Sequence, residues 1–212
     1  TNNYNYPYPK NEKVIDVEAG YQYFGTNWNV GANFYYMDYD NQLVQTGETS
    51  DIGEALTTNV KKSYRMGVEL SAGWAPLSWL SVEGNAALSK NKIKDFDEYV
   101  ESWDESENYV HKNHYSNSTL SYSPSAILNG FIDFHHKGFT ATWHTNFVSK
   151  QYIDNSESDV RSLPCYSQSD LQLRYTSDVT KAAGIKNVTL GLDFNNVFSR
   201  HYAASGSTWY GW

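Results

Sequence analysis

Residues 188–194, Val-Thr-Leu-Gly-Leu-Asp-Phe, are apolar at every second position and polar or small between. A period of two marks a β-strand with one oily and one wet face, and the same rhythm recurs along the chain. Val17, Ala19, Tyr21 and Tyr23 alternate with Asp16, Glu18, Gly20 and Gln22; Trp28, Val30, Ala32, Phe34 and Tyr36 alternate with Asn29, Gly31 and Asn33. Tyr64, Met66, Val68, Leu70, Ala72 and Trp74 form a third phase, and Leu80, Val82, Ala86 and Leu88 a fourth. Further runs lie at 126–134, 139–147 and 171–175, so with 188–194 eight strands are predicted and the fold class is all-β.

Several function classes are excluded early. No stretch reaches the roughly 18 apolar residues that a membrane-spanning helix needs. The formal net charge of -8, without a basic run among the aromatics, removes the attraction on which nucleic-acid binding rests. Cys165 is the single cysteine, so neither an intrachain disulfide nor a thiolate zinc cluster can form. No apolar leader opens the chain at Thr1, so export is not read from it.

The connections alternate in length. They are short at 25–27, 75–78, 136–138 and 176–187, and long and polar at 41–59, 90–124 and 153–164 and after Phe198. Pro76 has no N–H for a ladder and is placed in the 75–78 connection. Aromatics divide in the same way: Tyr23, Trp28, Trp74, Trp79, Phe134, Phe139 and Tyr175 flank the short turns, while Tyr36, Tyr39, Tyr64, Tyr122, Tyr152, Tyr166, Phe198 and Tyr202 lie towards the long loops. Short turns at one end, long loops at the other, and two aromatic girdles around an apolar band describe an antiparallel up-and-down transmembrane β-barrel. The oily phase is nearly free of charge, and the wet phase carries mainly Asn, Ser, Thr, Asp and Glu with a few Arg, as a hydrated lumen does. Asp16, Glu18, Arg65, Glu69, Glu83, Asp170 and Arg174 are its charged members. The competing architecture is a secreted, soluble β-sandwich that binds carbohydrate through Tyr and Trp. With short turns facing the periplasm, both chain ends fall outside, so at least one further strand is expected at each end.

The stretches "NFYYMDYDNQLVQTGE" (33–48), "SYRMGVELSAGW" (63–74) and "GLDFNNVFSRHYAASG" (191–206) resemble the C-terminal half of the barrel of TonB-dependent outer-membrane receptors, particularly those of Bacteroidetes. The resemblance covers nearly all of residues 1–212. It implies a 22-stranded barrel, of which about eight strands are present here, with the plug domain and the last strand outside this sequence. It also implies outer-membrane lipid, the plug, the TonB complex and an extracellular nutrient as partners, with a ferric siderophore or another iron source as the favoured cargo.

The loop "KDFDEYVESWDESENYVHKNHYSNSTLSY" (94–122) is the expected place of ligand contact, because loops on a rigid scaffold carry binding. Tyr99, Trp103 and Tyr109 offer rings for stacking on a sugar, porphyrin or catechol. His111 and His114, three apart among carboxylates, are the metal-facing option, although no full ligand set is spaced for a metal site and no cofactor is expected. His144 shares the wet phase with Asp133, yet no Gly-x-Ser-x-Gly or comparable spacing singles out a nucleophile, so no enzyme is expected.

Overall fold

The computed structural model describes residues 9–49, 52, 54–101, 110–178 and 187–206. They form β1 (Lys13–Phe24), β2 (Trp28–Thr49), β3 (Ala55–Leu77), β4 (Leu80–Glu101), β5 (Val110–Thr119), β6 (Ala126–His136), β7 (Phe139–Val148), β8 (Gln151–Tyr152), β9 (Ser162–Leu163), β10 (Tyr166–Asp178) and β11 (Asn187–Phe194), with one 3-10 turn at Asp159–Arg161. The main sheet runs β1-β2-β3-β4-β6-β7-β10-β11 in antiparallel order, and β5 pairs with the upper part of β4. All eight predicted strands are present, in sequence order, each beside its chain neighbour. Among the described residues β1 and β11 are the two ends of this path, and the sheet does not close on itself.

Register carries the alternation across the strands. Leu70 stands opposite Ala32 on one side and Ala86 on the other, Trp28 opposite Trp74, and Leu173 opposite Leu192. Directly opposed residues share a face, so one slip would turn every oily side chain inward. On the oily face Leu70, Val82, Leu128, Ile132, Leu190 and Leu192 are exposed, Leu70 to 43%. A sandwich would bury these side chains under a second sheet; among the described residues the face is bare. At the short-turn end the rings touch: Tyr23 and Trp28 at 4.9 Å, Trp79 and Phe134 at 5.5 Å, and Phe134 and Phe139 at 6.4 Å between centroids.

Two local results differ from expectation. Pro76 lies inside β3, where the register shifts between Trp74 and Leu77. That irregularity leaves no ladder position for its missing N–H, which is how a strand accommodates proline. The polar stretches 41–59 and 90–124 are largely strand as well, because β2, β3 and β4 run for 22, 23 and 22 residues. About 9–11 residues suffice to cross a bilayer core, so these three strands project far past the long-loop girdle.

The β6–β7 connection is the two-residue turn Lys137-Gly138, with φ of 44° and 81°. Positive φ at both central residues matches the twist of a hairpin. A Cβ on Gly138 would run into the backbone carbonyl of Thr176 in β10. Gly138→Ala is therefore expected to cost about 1–3 kcal/mol, read as a lower temperature for loss of the heat-resistant folded band of the intact protein on a detergent gel.

The corner after β11 also has a physical account. Asn196, at φ 52°, donates its N–H to Asp170 Oδ at 2.7 Å and exchanges two bonds with the Arg200 backbone. Tyr202 then donates to Gln168 Oε1 at 2.6 Å and stacks on Tyr166 with centroids 4.3 Å apart. The Asn-Asn-Val-Phe run ends the strand and hooks the chain back over β10.

Candidate functional site

The projecting strands build a rim with its own small core. Val44, Val60, Ile93, Phe96 and Leu120 are buried together, and Tyr115 packs against them with its ring 6.2 Å from Phe96. Each such burial contributes on the order of 1.5–3 kcal/mol. Ser63 and Ile93, opposite one another, continue the wet phase at odd positions, whereas the buried Val44, Val60 and Phe96 are even. The change of phase coincides with Asn41 at φ 54° in β2 and Asn117 at φ 58° in β5. Across it, Ser63 Oγ donates to Gln42 Oε1 at 2.5 Å, and both residues are buried.

Residues 149–165, between β7 and β10, lock onto this rim. Asn155 is fully buried: its Oδ1 accepts from Ser121 N at 2.8 Å and its Nδ2 donates to Gln45 O at 2.6 Å. Arg161 Nη1 lies 2.9 Å from Asp154 Oδ2 and 3.0 Å from Glu98 Oε1, joining a 1% exposed carboxylate of the loop to a 5% exposed one of β4. Tyr115 and Asn113 also donate to Glu98, and burial followed by that carboxylate pushes the Tyr115 phenol up. Glu157 receives Lys92 Nζ at 3.0 Å and the hydroxyl and N–H of Thr119; burial alone would raise its carboxyl, and these bonds hold it below the usual range.

Among the residues expected to touch ligand, Tyr99 lies in β4 opposite Lys112, and His111 lies in β5 opposite Val100. The side chains of both fall outside the description, and Trp103 and Tyr109 lie outside the described residues. His114 is exposed on the outer part of the β4–β5 hairpin, with Nδ1 2.8 Å from Asp97 Oδ1 and Nε2 3.3 Å from Ser116 Oγ. Bonds from His114 and then Lys112 hold the Asp97 carboxyl below its ordinary value. Positions 111 and 114 are three apart on a strand, not on a helix. Among the described residues no group of three or more His, Cys, Asp or Glu side chains is placed to hold a metal ion.

The wet face below the rim is a polar wall. Asn85, Asn129 and Asn146 form an amide chain across β4, β6 and β7, with bonds of 3.0 Å. His144 stacks on Phe131 at 4.4 Å, with Nε2 3.2 Å from Asn129 Oδ1 and Nδ1 3.5 Å from Asp170 Oδ2. Its carboxylate neighbour is Asp170 rather than Asp133, which accepts from Thr142 at 2.5 Å. Among the described contacts no serine hydroxyl meets His144; Ser169 Oγ pairs with Thr145 instead. Such a wall can bind and orient through its amides, hydroxyls and carboxylates.

A family model described as "TonB dependent receptor-like, beta-barrel" matches residues 1–197. Among solved structures, the copper transporter OprC is similar with TM-score 0.68 and 18% identity over 96% of this chain and 30% of its own. The ferric yersiniabactin uptake receptor FyuA from Yersinia pestis gives 0.62 and 19% over 93% and 26%. The ferric-catecholate import receptor Fiu from E. coli K12 gives 0.62 and 17% over 92% and 25%. The chain thus spans between a quarter and a third of the length of these structures. Among curated protein sequences there is no match.

Proposed function

The chain belongs to the TonB-dependent receptor β-barrel family, and on that premise we propose that it forms part of the wall and outer rim of a receptor that imports a scarce nutrient, a ferric siderophore or another iron source. The family's place is the bacterial outer membrane, and it is a family of receptors and transporters. The observation that carries the reading is the division of one continuous sheet into a bare oily face and a hydrogen-bonded polar face, topped by a rim with its own core. The oily face meets lipid, the polar face meets the receptor's own plug domain, and TonB acts through that plug. FyuA and Fiu, with their iron-chelate cargoes, support iron over other solutes.

Ligand contact is assigned to the β4–β5 hairpin through Tyr99, Trp103, Tyr109, His111 and His114. The rim core holds that hairpin upright beyond the girdle, which supports the assignment. A strain lacking the receptor is expected to lose TonB-dependent uptake of one radiolabelled ferric chelate while porin permeability stays the same. Undiminished uptake across a panel of ferric chelates, with loss of copper or a glycan instead, would replace iron as the cargo.

A further inference from the structure

We propose that Ser116, on the outer part of the β4–β5 hairpin, is a nucleophilic serine that takes an acyl group from activated esters. The inference goes beyond the transport reading and is independent of it. His114 of β5 stands directly opposite Asp97 of β4, and Ser116 stands opposite Asp95. Positions 114 and 116 are two apart on one strand, so their side chains leave β5 on the same side. The register of the hairpin thus brings an acid, an imidazole and a hydroxyl onto one face.

Their order is the one that activates a hydroxyl. His114 Nδ1 lies 2.8 Å from Asp97 Oδ1, and Nε2 lies 3.3 Å from Ser116 Oγ. An ionised carboxylate only accepts, so the proton sits on Nδ1 and Nε2 is left to accept from the serine. Lys112 Nζ is 3.0 Å from the second oxygen of Asp97, and the bonds from His114 and Lys112 hold this carboxyl below its ordinary value. Asp97 therefore stays charged and positions the ring. Asp95 Oδ1 is 3.7 Å from Nε2, beyond hydrogen-bond reach, and leaves the serine as the nearer partner.

In the transfer, Ser116 Oγ bonds to the ester carbonyl carbon while its proton passes to His114 Nε2. The bond from that carbon to the leaving oxygen then breaks, and the leaving group departs with the electron pair and takes up the proton. His114 and Asp97 are 54% and 38% exposed, so water solvates the oxyanion at this site. Going without preorganised oxyanion donors costs about 10²–10³ in rate. The donors that fit are accordingly those with a good leaving group, such as aryl esters, and not amides.

The test treats the whole receptor in detergent with 4-nitrophenyl acetate, quenches with acid at short times and maps the acetylated peptides. Ser125 serves as the standard within the same molecule, being an exposed serine whose hydroxyl pairs with Ser149. Ser116 is expected to acetylate about a hundredfold faster than Ser125, the lower end of what a positioned general base supplies. His114→Gln should remove that advantage, and Asp97→Asn should reduce it about tenfold or more by releasing the ring from its tautomer. Heat resistance of the folded band on a gel reports that each variant is assembled. Equal acetylation of Ser116 and Ser125 overturns the proposal. So does an advantage of Ser116 that survives His114→Gln, or acetylation of Lys112 in place of Ser116.

Discussion

Replacing Arg161 by alanine is expected to release residues 149–165 from the rim while the sheet below stays folded. Arg161 is the shared partner of Asp154 and Glu98, which are 1% and 5% exposed. Without it two carboxylates remain enclosed near one another, and removing one partner of a buried ion pair costs about 3–5 kcal/mol. Arg161 is itself 27% exposed, so water recovers part of that and the lower half of the range is the better expectation. The cost falls on the loop because its other anchors, Asn155 on Gln45 and Ser121 and Glu157 on Lys92 and Thr119, are separate local contacts. Faster amide exchange and proteolysis confined to 149–165 and the β4–β5 hairpin would match this. The triple change Arg161→Met, Glu98→Gln, Asp154→Asn leaves no buried charge and is expected to recover most of the protection. A loop as protected in Arg161→Ala as in the unmodified receptor would mean that Arg161 does not hold it.

Expectation from sequence and observation diverge at one level of the wall. Below the girdle of Tyr36 and Tyr64, which stack at 6.3 Å, one face meets lipid and the other a wet interior, so each strand writes its phase into its side chains. That is why the runs ending at Phe24, Trp74, Leu88 and Phe194 were readable as strands. Above the girdle the backbone ladder continues through Lys92–Thr119 and Asp97–His114, but water reaches much of both faces, and the left-handed residues Asn41 and Asn117 accompany a change of phase. A polar strand with a slipped phase has the composition of a loop.

The rim network was illegible for a different reason. Asn155 finds its acceptor 110 residues away at Gln45, and Arg161 finds Glu98 63 residues away. Nothing in "DNSESDV" separates a fully buried asparagine from a solvated one. Arg65 was visible as a wet-phase charge, whereas its place over the Tyr39 ring depends on the register of β2 against β3.

The assignment of faces carries the heaviest consequence. Leu70 lies near the middle of β3's oily run, four positions from Trp74 in the short-turn girdle and six from Tyr64 in the other. It is 43% exposed on the bare face. Leu70→Arg would hold a guanidinium among acyl chains, at a cost of about 2–4 kcal/mol near the bilayer midplane. Its neighbour Ser71 faces the other way, in register with Gly31 of β2 and Asn85 of β4 on the polar side, so Ser71→Arg is expected to stay within about 0.5 kcal/mol. Two identical charges introduced one residue apart should therefore differ by several kilocalories per mole, because a period of two is the only thing that separates lipid from lumen. Equilibrium refolding of the whole receptor into lipid vesicles against a denaturant series measures both. Equal costs at 70 and 71, or a larger cost at 71, would mean that protein or water, not hydrocarbon, covers the oily face.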